Sequence, residues 1–102
     1  MTPPKPKLRD RYPQLGRLCA AYLNQDWEAT APTPEAVVQR FGEDAGPKGC
    51  AATLAEIVAL QKEFKTENAL DDALSELRCG YLPRGKGETC KAFLERVTKL
   101  LR

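Results

Sequence analysis

The sequence LGRLCAAYLNQDW, residues 15 to 27, carries the clearest structural signal in this chain. Its apolar side chains recur at offsets of three, four, seven and eight residues, the spacing of one helical face; they are Leu15, Leu18, Cys19, Tyr22 and Leu23. The polar run Asn24-Gln25-Asp26 interrupts this face, and Trp27, the only tryptophan, follows it. Because a tryptophan after an amphipathic helix usually closes a core, we expect Trp27 to be a core anchor.

Four further segments continue the helical pattern. Thr33, Thr66 and Thr89 each stand where a helix N-terminus needs a capping side chain, and Gly46-Pro47 marks a loop between the second and third helices. The predicted helices span residues 13–23, 34–42, 50–64, 67–77 and 90–101. Nothing alternates with the period of a strand. The sequence therefore predicts an all-α fold, a compact single-domain bundle of about five helices.

The third predicted helix has the widest apolar face. Its side chains at helical spacing are Leu54, Ile57, Val58, Leu60 and Phe64. A stripe of this width is typical of a helix that is covered by several neighbours. We therefore expect this helix to lie at the centre of the core.

The length of 102 residues is that of one domain. Residues 1 to 11 contain three prolines and four basic residues with a single aspartate, so we expect a flexible basic N-terminal arm followed by a helical domain over residues 12 to 102. No apolar run approaches the ~20 residues of a membrane-spanning helix, and the N-terminus lacks the apolar segment of a secretory signal. A cytoplasmic location, away from membranes, is the expectation.

The residues that usually carry chemistry are scarce. The chain has no histidine, and its four cysteines are widely spaced, since the two nearest, Cys79 and Cys90, are eleven residues apart. Zinc sites need thiolates in close pairs or histidines, and general acid–base catalysis most often uses histidine. The glycines between Gly80 and Gly87 lack the Gly-Lys-Ser/Thr ending of a phosphate loop. We therefore predict neither catalytic activity, nor a metal, nor a cofactor.

Charge is divided along the chain. The net charge is +4 over residues 1–23, −7 over residues 24–77 and +5 over residues 78–102. On the predicted fourth helix the acidic residues Glu67, Asp71, Asp72 and Glu76 lie opposite the apolar face and form like-charge pairs four residues apart. Such an arc is either ordinary solvated surface or a surface that binds a basic partner.

Two short elements resemble a known family. They are Tyr22-x-x-Gln25-Asp26-Trp27 and Gly80-Tyr81-x-Pro83, and weaker likeness continues to the closing segment at residues 93–97. The pattern resembles the immunity proteins of bacterial contact-dependent growth inhibition systems, which are small helical proteins that neutralise a toxin domain. Phe93 stands where a tryptophan of that family is expected, and Leu23 where an aromatic residue is expected.

The resemblance implies a partner and a mode of action. The partner would be the cognate C-terminal toxin domain of a contact-dependent growth inhibition exoprotein, held in a heterodimer. Neutralisation would follow from covering the active site of that toxin, or an exosite. The acidic centre of the chain suits the basic substrate groove of a nuclease.

The candidate toxin-binding residues are the acidic ones together with one tyrosine: Asp26, Glu43, Asp44, Glu63, Glu67, Asp71, Asp72, Glu76 and Tyr81. Asp26 either braces the helix end or points outward to a partner. Tyr81 either packs its ring inward, with its hydroxyl bonded to the backbone, or contacts the toxin directly.

The basic ends of the chain suggest an alternative function. Cationic residues within residues 5–17 and 86–102 could neutralise phosphates, as in a small helical nucleic-acid-binding or regulatory protein. However, no recognition-helix motif or aromatic stacking platform accompanies them, and the acidic centre would repel a phosphate backbone. The same cations could instead contact acidic parts of a protein partner.

Overall fold

The computed structural model describes residues 7 to 102. Its elements are α1 (Leu8–Arg11), α2 (Pro13–Arg17), a π-helical turn (Leu18–Tyr22), α3 (Trp27–Thr30), α4 (Pro34–Glu63), α5 (Glu67–Glu76), a 3₁₀ turn (Pro83–Lys86) and α6 (Cys90–Leu101). The described residues contain no strand, which confirms the predicted all-α fold. Among these helices none is both long and apolar enough to cross a membrane.

The three predicted threonine caps are present. Thr33, Thr66 and Thr89 immediately precede α4, α5 and α6, and each side-chain oxygen accepts a hydrogen bond from the backbone N–H three residues later, at 3.2, 3.1 and 3.0 Å respectively. A free N–H at a helix start has no partner within the helix, so this bond stabilises the start locally. These boundaries follow from the sequence for that reason.

The predicted loop between residues 42 and 50 is reduced to a kink. Helix α4 has 30 residues, and only Gly46 leaves the helical region, with φ 72° and ψ 178°. Glycine adopts a positive φ without steric cost, and Pro47 directly after it occupies the first turn of the resumed helix, where proline is tolerated. The expected helix end at Gly42 is wrong, because α4 continues through this residue. A Cβ at Gly42 would lie 3.0 Å from Leu101 Cδ2.

Part of the expected N-terminal arm is helical. Residues 1 to 6 lie outside the described residues, but Leu8–Arg11 form a helical turn with Leu8 only 6% exposed. The Leu8 N–H donates to Glu76 Oε2 at 3.1 Å. The buried Leu8 side chain and the hydrogen bond from its N–H to Glu76 hold this turn against the end of α5.

The core lies between α4 and α6, with α2, the π-helical turn and α5 packed around them. Phe41, Ile57 and Leu60 are among the fully buried side chains of α4. Within the predicted stripe Ile57 and Leu60 are buried, Leu54 and Phe64 are half-buried, and Val58 is 52% exposed. Thr53 takes part of the buried face instead, because its hydroxyl donates to the Gly49 carbonyl at 2.7 Å and so leaves no unpaired polar group.

Candidate functional site

The two elements that carry the family resemblance meet at one place, which we call the junction: residues 23–27 with residues 80–81. The Gly80 N–H donates to the Leu23 carbonyl oxygen at 2.5 Å. A Cβ on Gly80 would lie 2.3 Å from the backbone C and O atoms of Asn24, closer than any real contact. Glycine is therefore required at position 80 by backbone contact rather than by a turn.

Aromatic rings close the junction. Trp27 and Tyr81 are each 7% exposed, with ring centroids 5.9 Å apart at 78°, and Tyr81 contacts Phe93 at 5.0 Å. The predicted role of Trp27 as a core anchor is confirmed. The Tyr81 hydroxyl donates to the side chain of Glu88, not to the backbone as expected, and Glu88 also accepts from Arg96 at 2.7 Å. Burial, reinforced by the bond to Glu88, raises the pKa of Tyr81.

The same burial bears on the predicted toxin contact by Tyr81. A side chain that is 7% exposed, with its hydroxyl bonded to a carboxylate, has little surface to offer a partner. Tyrosine suits interfaces and wet-edged cores for the same reason, an apolar ring with one polar end, so the direct contact stays a prediction.

Asp26 lies on the surface beside the junction. Asn24 organises the turn, since its Oδ1 accepts from the Asp26 N–H at 2.8 Å and its Nδ2 donates to the Ala21 carbonyl at 3.3 Å. Asp26 precedes α3, but its side chain makes no capping bond. Of the two interpretations of Asp26, the structure supports the outward-pointing carboxylate.

Several acidic residues hold helix N-termini instead of facing solvent freely. Glu67 accepts from the N–H groups of Cys90 and Lys91, at 2.7 and 3.2 Å, at the start of α6. These bonds, the one to Cys90 above all, lower the pKa of Glu67. Glu76 accepts from Leu8 at the start of α1. A carboxylate at a helix N-terminus satisfies free donors and is favoured by the helix dipole.

Glu56 makes the third contact of this kind, and it was not among the predicted site residues. Its two oxygens accept from the N–H groups of Gln14 and Leu15, at 3.2 and 2.9 Å, in the first turn of α2. The only sequence signal would have been an acidic residue on a mostly apolar helix face. Its partners lie more than 40 positions away in sequence.

Glu63 is also occupied. It forms an ion pair with Arg11 and accepts a hydrogen bond from the Tyr12 hydroxyl at 3.3 Å. The hydrogen bond from Arg11 lowers the pKa of Glu63. This predicted binding residue therefore fastens α1 and Tyr12 to the end of α4.

Asp44 belongs to an open cleft of about 290 Å³. The cleft lies between the π-helical turn, α3 and the first half of α4, and its walls include Tyr22, Asn24 and Arg40. The Tyr22 hydroxyl donates to Asp44 Oδ2 at 2.7 Å, and this bond is the main reason that the pKa of Tyr22 is raised. Asp44 thus remains on the surface with one of its acceptor positions filled.

Four of the predicted acidic residues have no such contact. Within residues 7–102, the carboxylates of Asp26, Glu43, Asp71 and Asp72 make neither a hydrogen bond nor an ion pair. All are exposed except the half-buried Asp71. The expected continuous arc on α5 is therefore divided: Asp71 and Asp72 are free, whereas the residues at either end of it, Glu67 and Glu76, hold neighbouring helices.

The thiols and carboxylates do not form a metal site in the part of the chain that the structure describes, where no three potential ligands converge. Cys19, Cys79 and Cys90 are buried free thiols. Burial, with the neighbouring carboxylates of Glu67 and Asp71, raises the pKa of Cys90 to about 11. A thiol in this environment stays protonated and is a poor nucleophile.

The comparison with protein families concerns nearly all of the described residues. A family model described as CdiI immunity protein matches residues 11–101, a range that includes both halves of the junction and all of the free carboxylates. No curated protein and no solved structure matches the chain significantly. By this match over most of its length, the chain belongs to the CdiI immunity protein family.

Proposed function

We propose that this protein binds the C-terminal toxin domain of a contact-dependent growth inhibition exoprotein, in the cytoplasm of the producing cell, and neutralises it by covering its active site or an exosite. The observation that carries the proposal is the family match over residues 11–101. The complex would be a heterodimer of one immunity protein and one toxin domain. Inhibition would come from binding alone, without catalysis.

The chemistry of the surface supports a binding role. The chain has no histidine, and three of its four cysteines are buried. What the surface offers instead is negative charge without partners among residues 7–102, at Asp26, Glu43, Asp71 and Asp72. A free carboxylate loses no intramolecular bond when a partner pairs with it, whereas Glu67 or Glu76 would have to release a helix N-terminus first.

The free carboxylates suit a basic partner, and a nuclease has a basic surface because it binds phosphates. Opposite charges on the two proteins would speed their association and orient the encounter. We therefore propose that the toxin is a nuclease and that Asp71 and Asp72 on α5 are among the residues that contact it.

The direct test uses the toxin domain encoded immediately upstream of this chain. Calorimetry with the two purified proteins should show one-to-one binding, and co-expression should protect cells that produce the toxin domain. Absence of binding together with absence of protection would refute the proposed function. Cleavage of RNA or DNA by the free toxin domain, and its loss in the complex, tests the nuclease assignment separately.

The charge test reverses Asp71 and Asp72 together to lysine. We expect the association rate with the toxin domain to fall about tenfold at low salt, with a smaller difference at high salt because ions screen the steering. Glu95→Lys on α6, an exposed acidic residue, is the matched control. If the double variant associates at the wild-type rate at every salt concentration, α5 is not part of the interface.

A further inference from the structure

The fold brings together basic residues that are distant in sequence. Two adjoining grooves of about 250 and 230 Å³ lie where α1, the start of α2 and the end of α5 meet. Lys7, Arg9 and Arg78 line the first, and Arg9, Arg17 and Arg78 line the second. We call these four side chains and the space between them the basic groove.

The fold makes little use of these charges. Among residues 7–102 the ion pairs use Arg11, Lys86 and Arg96, and none of the four groove cations takes part in one. All four groove residues are exposed. Arg17 alone has a defined neighbour for its guanidinium, which lies over the ring of Phe41 at 5.4 Å. The positive charge of the groove is therefore available to a partner.

Arg78 occupies a backbone position that normally belongs to glycine. Its φ is 64°, the only positive φ of a non-glycine residue in the described chain. It follows the last turn of α5, where the Cys79 N–H donates to the Leu74 carbonyl and the Arg78 N–H to the Ser75 carbonyl, both at 3.0 Å. This is the usual left-handed end of a helix, and a side chain there is strained. Strain of this kind is most often kept at functional positions.

We infer that the basic groove binds an acidic segment of the toxin domain, with Arg9 and Arg78 pairing to its carboxylates; this rests on the proposed function. The protein would then contact its partner with charges of both signs, using the free carboxylates for basic groups of the toxin and the groove for acidic ones. Complementary charge of both signs fixes one orientation of docking, which a single uniform patch does not.

The shape and charge of the groove favour a carboxylate over a phosphate backbone. Glu76 and Asp10 form part of its walls, so a continuous polyanion lying along it would meet negative charge as well. Three of the four cations are arginines, whose planar guanidinium groups bind carboxylates and phosphates alike through two parallel hydrogen bonds, so the acidic walls make the distinction. Each groove has room for one or two side chains, which suits a short acidic segment.

The strained position allows a test that separates binding from folding. Arg78→Gly removes the guanidinium and also relieves the positive φ, so the variant should be at least as heat-stable as the wild type. We expect its affinity for the toxin domain to fall about tenfold, with a weaker dependence on salt. Arg78→Lys keeps the charge and should recover part of the affinity. Arg9→Gln should reduce affinity in the same direction, and Lys99→Ala, an exposed cation on α6, should not.

Three results would overturn the inference. If the wild type binds the toxin domain and both Arg78→Gly and Arg9→Gln bind it equally well, the groove has no part in the complex, although the proposed function stands. If those variants lose affinity only for a short duplex DNA or a single-stranded RNA, the groove binds nucleic acid instead. If the wild type itself fails to bind the toxin domain, the proposed function fails and the inference with it.

Discussion

The junction and helix α5 show two different uses of side chains within one small molecule. At the junction, Gly80 lies directly on the backbone of Asn24, and Trp27 and Tyr81 are buried together. Helix α5 is amphipathic, with Leu70 and Leu74 in the core and a row of acidic residues outside. At the junction, close atomic packing decides which residues fit. On the outer face of α5, the shared property is charge.

This difference shows why similar-looking signals have different meanings. The distinctive residues of the junction, apart from the exposed Asp26, are mainly packing residues. The acidic residues of α5 look alike in sequence, yet they differ in the fold. Glu67 holds the start of α6, whereas the Asp72 carboxylate makes no hydrogen bond or ion pair within residues 7–102. Substitutions should therefore cost much stability at the junction, less at Glu67 and almost none at Asp72.

Gly80→Ala should have the largest effect. The added methyl group would lie 2.3 Å from backbone atoms of Asn24, which cannot rotate away as a side chain could. We expect a loss of at least about 3 kcal/mol in the free energy of unfolding, measured by urea denaturation. Gly85→Ala is the matched control, since a Cβ there meets nothing within 4 Å. Equal stability of the two variants would contradict the junction as described.

Glu67→Ala should have an intermediate effect. It removes two hydrogen bonds, to the N–H groups of Cys90 and Lys91, and leaves the start of α6 with free donors. For this half-exposed contact we expect a loss of about 1 to 2 kcal/mol in urea denaturation. Asp72→Ala, on the same helix but without a contact, should change stability by less than about 0.5 kcal/mol. A larger loss of stability for Asp72→Ala than for Glu67→Ala would contradict the assignment of Glu67 as a hydrogen-bonded carboxylate and Asp72 as a free one.

The contribution of Glu67 should also depend on pH. Its pKa in the folded protein is lowered from the ordinary value of 4.5, so the folded state binds this proton less readily than the unfolded state. The stabilisation is complete above about pH 4.5 and is lost as the pH falls through the lower folded value. Denaturation of the wild type and Glu67→Gln across this range should show their difference in stability shrinking in acid. A difference that stays constant would mean that the carboxylate charge is not involved.

A smaller effect, a gain in stability, should come from reversing Asp71 and Asp72 together to lysine. Each takes part in a like-charge pair four residues apart, with Glu67 and Glu76 respectively. Replacing two repulsive pairs by two attractive ones should raise the free energy of unfolding by about 1 kcal/mol. Thermal denaturation measures this. A large destabilisation would show that these residues hold the fold and would undermine the association experiment that uses the same variant.

Local features of the fold were predictable from the sequence, and non-local ones were not. The threonine caps at residues 33, 66 and 89 act within a single turn, so the sequence alone reveals them. The kink at Gly46 is predicted as a loop because glycine followed by proline shows that a helix is interrupted, but not over how many residues. Val58 belongs to the apolar stripe of α4 and is nevertheless exposed, because periodicity gives the direction of the apolar face but not which neighbours cover it.

The candidate site was predictable only in part, for the same reason. The acidic character of the central helices was visible, but Glu67 and Glu76 contact groups 23 and 68 positions away. Whether a carboxylate is free or occupied depends on which helix N-terminus is folded beside it. The basic groove was equally invisible, because its cations come from residues 7–17 and from residue 78.

By itself the sequence determined the helical class and the capped starts of three helices, since these depend on neighbours within a few turns. Tertiary structure alone decided that Gly80 lies against Asn24, which of the acidic residues remain free, and that Arg78 joins Arg9 and Arg17 in one groove. The physical reason is that helical propensity and capping act along the chain, whereas contact and electrostatic pairing act through space once distant segments have packed.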